Sequence, residues 1–118
     1  MTRLLVIVVF SQSIFAGVLL SGEPWGRTAH GWTALGLVIG TLVAGIVAAL
    51  SLRGVGGGRR LSGMLAALSL LLFVQMVVGR RSAEGANLLW LHVPLGVALV
   101  GMMVQPAIAA RRLGAGVE

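Results

Sequence analysis

The stretch TAHGWTALGLVIGTLVAGIVAALSL, Thr28–Leu52, decides the fold: it runs 25 residues without an Asp, Glu, Lys or Arg. About 20 residues at 1.5 Å each suffice to cross roughly 30 Å of hydrocarbon. Three more stretches share this character, Leu4–Ser21, Leu61–Gly79 and Leu88–Ala110, joined by short connectors. Over the whole chain of 118 residues, 58% are hydrophobic and 10% charged, with a mean hydropathy of +1.02. Soluble domains carry about 25% charged residues, so this composition belongs in a bilayer. The connectors leave no room for a soluble domain. The expected fold is all-α: one integral membrane four-helix bundle spanning 1–118.

Arg3 ahead of an apolar run has the outline of a signal peptide. The run exceeds a signal core of about 7–15 residues and the small-residue pattern behind it is weak, so a retained span is expected. Arginine sets the orientation. With the N-terminus cytoplasmic, Arg3, Arg53, Arg59, Arg60, Arg111 and Arg112 fall inside, and Arg27, Arg80 and Arg81 outside. That bias satisfies the positive-inside rule. Glu23 and Glu84 then lie outside and Glu118 inside, while Trp25, Trp32 and Trp90 gather at the outer boundary, where indole rings are favoured. Both termini are expected in the cytoplasm of a bacterial cell whose plasma membrane holds the chain.

The net charge of +6 is absorbed by this topology, and no basic face with interleaved aromatics points to nucleic acid. The glycine-rich segment Arg53–Arg60 lacks the Gly-Lys-Ser/Thr ending of a phosphate loop, so it reads as a connector whose Arg59 and Arg60 meet anionic lipid headgroups. With no cysteine, thiol redox chemistry and thiolate metal sites are excluded. No charged residue falls in the middle of a span, which disfavours proton-coupled transport. The titratable groups of the membrane region reduce to His30 and His92.

These histidines open the second and fourth stretches, and their surroundings look duplicated. Gln12, Gly17, His30, Leu35-Gly36 and Arg53 reappear as Gln75, Gly79, His92, Leu95-Gly96 and Arg111. Glutamine precedes histidine by 18 residues in the first copy and by 17 in the second. Two tandem hairpins are expected, about 4–53 and about 61–112. In an up-down-up-down bundle the second and fourth spans run parallel, so both imidazoles lie near one face at similar depth. Two facing imidazoles suit the two axial positions of one haem iron; without cysteine or carboxylate they make a poor zinc site.

Helical spacing places Gly96 and Leu99 on the face of His92, and Thr33, Ala34 and Leu37 on that of His30. Gly96 is expected to leave room for a porphyrin. Pro94 frees the Trp90 carbonyl and is expected to tilt that first turn. Gln75 is expected near histidine depth and Gln12 about two turns deeper. Either glutamine serves an interhelical hydrogen bond, worth about 0.6–2 kcal/mol, or bonds a haem edge or imidazole. Gln105, beside Pro106, reads as patching backbone freed by the proline. Gly36, Gly40, Ala44 and Ala48 form a small-residue ladder, read as packing within the chain or as a homodimer or complex surface.

A four-span unit with Ala29-His30…Leu35-Gly36 and Leu91-His92-Val93-Pro94-Leu95, its histidines 62 residues apart, resembles one half of a haem A synthase. It also resembles an uncharacterised family of small bacterial four-span proteins with the same two elements. The synthase family joins two such halves, each holding haem between equivalent histidines, and has a catalytic glutamate shortly before its first histidine. This chain has Gly26-Arg27-Thr28-Ala29 there and a single bundle. The resemblance implies haem binding and speaks against haem A synthesis.

The expectation is therefore one b-type haem per chain, held by His30 and His92 near the outer face, beside Gly96 and Gln75. Arg27, Arg80 and Arg81 are the nearest cations for its propionates. Such a protein exchanges electrons with quinol or an external redox protein, or serves as the haem-bearing subunit of a larger membrane complex. It is not expected to be an enzyme by itself. The competing expectation is a structural subunit without cofactor.

Overall fold

The computed structural model describes residues 2–115; Glu118 lies outside them. Four helices follow in chain order: α1 (Thr2–Leu20), α2 (Pro24–Ser51), α3 (Gly58–Ala83) and α4 (Leu89–Ala115). All four are long and apolar enough to cross a membrane. They form an up-and-down bundle, 50 Å along its longest axis, in which each helix packs on its neighbours and α4 closes back on α1. The diagonal pairs, α1 with α3 and α2 with α4, make no backbone approach among the described residues.

The helices outrun the uncharged stretches. α2 starts at Pro24 rather than Thr28, α3 continues through Arg80 and Arg81, and α4 through Arg111 and Arg112. Hydropathy marks the hydrocarbon boundary, whereas a helix ends where its backbone is capped, and exposed arginines extend it into the headgroups. Pro24 suits the first turn, where its missing N–H is no loss. The α1–α2 turn is tight. Glu23 N–H donates to the Val18 carbonyl across Gly22, whose φ of +89° is a left-handed value that glycine adopts without penalty. This turn fixes which α1 residue stands level with which α2 residue. Pro94 and Pro106 both lie within a continuous α4.

The core is built from one stripe of each helix. Leu5, Val9, Leu37, Ala44, Ala48, Leu61, Leu65, Leu68, Leu72, Leu99 and Met103 are buried together. The Ser69 hydroxyl donates to the Val38 carbonyl at 2.9 Å and Thr41 to Leu37 at 2.7 Å, so the hydroxyls of these two core residues are satisfied. Large apolar side chains such as Ile7, Phe10, Ile46, Leu70 and Val97 cover the outside, as lipid contact requires. The small-residue ladder divides along its length. Ala44 and Ala48 are buried, and a Cβ on Gly40 would meet Leu5 at 3.0 Å, whereas one on Gly36 would meet nothing within 4 Å.

Candidate functional site

His30 is the seventh residue of α2 and His92 the fourth of α4. They stand on diagonal helices whose backbones stay apart, yet their rings meet across the bundle axis. The ring centres are 6.2 Å apart and the planes are inclined at 74°. Leu37 and Leu99, each seven residues beyond a histidine, are buried to 1% exposure and floor the pair. Two turns of helix bring i and i+7 to the same side, so each histidine continues the stripe that builds the core. Of the residues expected on those faces, Leu37 and Leu99 are buried in the core.

Each histidine is held by the glutamine of its own hairpin. The Gln12 side-chain amide donates to the His30 carbonyl at 3.3 Å and also to the Thr33 hydroxyl, which in turn donates to the Ala29 carbonyl. The Gln75 amide donates to the His92 carbonyl at 2.7 Å. Gln12 is therefore level with His30, not two turns deeper. The expectation counted depth from Thr28, whereas the helix begins at Pro24 and the tight turn pairs residue 12 with residue 30. Both glutamines make interhelical bonds, and each does so to its own histidine's backbone.

The rings are seated differently. His30 Nδ1 lies 3.3 Å from the Gln12 backbone carbonyl, which fixes the proton on Nδ1 and leaves the Nε2 lone pair free. His92 lies over Gly79. A Cβ there would stand 2.5 Å from Cε1, 3.0 Å from Nδ1 and 3.1 Å from Nε2. Only glycine leaves that space. Gly96 likewise faces the Gln75 amide, since its Cβ would come within 2.9 Å of Nε2. The glycine pairs that marked the repeat are not equivalent, because Gly17 and Gly36 have nothing within 4 Å.

Three buried polar atoms have no partner among the described residues: His92 Nδ1, Gln75 Oε1 and Ser82 Oγ. Gln75, Gly79 and Ser82 recur at i, i+4 and i+7 on α3, so the three atoms belong to one stripe of the second hairpin. Buried polar groups are nearly always bonded, so three such atoms along one stripe set the second hairpin apart from the first. Ser82 escaped the sequence reading; its signal is the spacing from Gln75 and Gly79.

The three arginines expected beside the site are exposed at the same end of the bundle. Arg80 bonds Glu84 at 3.0 Å and Arg81 approaches the same carboxylate at 3.8 Å, whereas Arg27 has no ion pair among the described residues. Of these three, Arg27 is the one that no described carboxylate engages.

The donor set decides what the pair can hold. No group of three or more His, Cys, Asp or Glu comes together among the described residues, so a tetrahedral metal site is not formed. Metal–imidazole bonds of about 2.0–2.1 Å put two ring centres on opposite sides of one metal about 6.3 Å apart. The observed 6.2 Å agrees with that separation. The pair thus offers imidazole nitrogens and no third protein donor, a set suited to a group that brings its remaining ligands itself. No family model, no curated protein and no solved structure matches this chain.

Proposed function

We propose that the chain is a small membrane cytochrome, in which His30 and His92 would hold one b-type haem. The observation that carries this reading is the meeting of two imidazoles from diagonal helices, their ring centres 6.2 Å apart. Haem, when bound, supplies a one-electron couple whose potential is set by its axial ligands and their hydrogen bonding. The chain's own residues fix those ligands: Gln12 holds the His30 ring through Nδ1, and Gly79 admits the His92 ring. The α1–α4 seam, closed by no short turn, is the least extensive of the four helix contacts.

On the positive-inside rule the termini and the α2–α3 turn face the cytoplasm of a bacterial plasma membrane, and the histidines lie near the outer face. One haem near one face does not carry electrons across about 30 Å of hydrocarbon. Exchange with quinol or an external redox protein on that side is the role that fits, either alone or as part of a larger membrane complex. Of the three arginines at that end, Arg27, which no described carboxylate engages, is the cation for a propionate. The test is protein purified from haem-replete cells. One b-type haem per chain by pyridine haemochrome is expected, and a colourless preparation would instead favour a structural subunit without cofactor.

A further inference from the structure

The glycine-rich turn between α2 and α3 folds into something more definite than a connector. A groove of about 420 Å³ lies beside it, lined by apolar Ala48 and Leu52 and by Arg53, Arg59, Ser62 and Gly63. Neither arginine has an ion pair among the described residues. The two described carboxylates, Glu23 and Glu84, lie beyond the opposite ends of α2 and α3. Arg3, Arg53, Arg59, Arg60, Arg111 and Arg112 all stand at the groove's end of the bundle. The first turn of α3, a helix of 26 residues, adds the positive end of its dipole.

The groove therefore offers two guanidiniums and a hydroxyl at the level where helices leave the hydrocarbon, with apolar surface running on into the membrane. The geometry points to a binding site for the headgroup of an anionic glycerophospholipid, its phosphodiester between Arg53 and Arg59 and its acyl chains along Ala48 and Leu52. Guanidinium groups bind phosphate oxygens through paired N–H donors, and basic pockets between membrane helices recognise such headgroups. A free phosphate would use the arginines and leave the apolar lining idle. The occupant that uses both is a lipid. This site lies at the far end of the bundle from the histidine pair and does not depend on what that pair binds.

The test is native mass spectrometry of the full chain released from neutral detergent, with short-chain phosphatidylglycerol, phosphatidylcholine or inorganic phosphate added. One phosphatidylglycerol is expected to be retained in preference to phosphatidylcholine. The Arg53→Gln/Arg59→Gln variant should lower that retention about tenfold or more. Arg111→Gln/Arg112→Gln removes the same charge from the same end but outside the groove, and should retain the lipid. A Cβ at Gly63 meets nothing within 4 Å, so Gly63→Leu adds bulk at the groove without a backbone clash, leaves its charge intact, and should lose the lipid. Equal losses in the two arginine pairs would show a diffuse charge effect and overturn the site. Full retention by Gly63→Leu, or equal retention of phosphatidylcholine, would also overturn it. Displacement by inorganic phosphate at equal concentration would leave an anion site and overturn the lipid assignment.

Discussion

The two hairpins perform one task with unequal completeness. In the first, the Gln12 side chain bonds both the His30 carbonyl and Thr33, and the Gln12 backbone meets His30 Nδ1. In the second, Gln75 makes one bond and leaves its oxygen unpartnered, while His92 Nδ1 and Ser82 Oγ go without. The Gln75 backbone carbonyl is the matching acceptor for His92 by symmetry, but no bond of acceptable geometry forms there. His30 is held by hydrogen bonds and His92 by shape, on the bare backbone of Gly79. The His30 ring has its hydrogen-bond partner within the described residues; the His92 ring has none.

The contrast is broken most severely at Gly79. Gly79→Ala forces the His92 ring from its place, and overpacking of this kind costs about 1–3 kcal/mol. Haem affinity should fall about tenfold, since 1.4 kcal/mol is one decade. The same ring shift should appear in the ligand-free chain as a displaced His92 imidazole resonance in nitrogen NMR. Gly17→Ala, at a position with open space, should leave both readouts unchanged. An unmoved resonance in Gly79→Ala would mean that His92 is not seated there.

Gln12→Leu comes next. It removes the bonds to His30 and Thr33 and should cost about 1–2 kcal/mol, within the range of interhelical bonds in membranes. Gln75→Leu should cost less, about 0–1 kcal/mol, because the lost bond is offset by removal of an unpartnered buried oxygen. Unfolding in mixed micelles measures both, and the reverse order would erase the difference between the hairpins. Smallest of all is Ser82→Ala. An unbonded buried hydroxyl contributes nothing to the ligand-free chain, so stability should hold or rise by a few tenths of a kcal/mol. A clear loss would reveal a bond that the account lacks.

Much of this was legible in the sequence, for a physical reason. Helical periodicity alone places Leu37 with His30 and Leu99 with His92, and topology places both histidines at one end. Depth was less legible, because hydropathy does not show where Pro24 starts a helix or how Gly22 tightens a turn. Gln12 was misplaced on that account. The repeat was read from matching residue types, yet Gly17 and Gly36 face open space where Gly79 and Gly96 make close contacts. A letter repeats without its neighbour repeating. Ser82 lacked any signal until Gln75 and Gly79 were seen to face α4.

The central claim is that His30 and His92 form one site rather than two separate residues at a membrane surface. Optical and electron paramagnetic resonance spectra of the haem-loaded chain, beside His30→Ala and His92→Ala, test it most directly. Ligation by both imidazoles predicts a low-spin iron in either oxidation state for the unaltered chain. Each variant should lose haem or turn high-spin and bind carbon monoxide, while the bundle persists on the packing of its apolar helices. A full, low-spin haem surviving in either histidine variant would contradict the shared site.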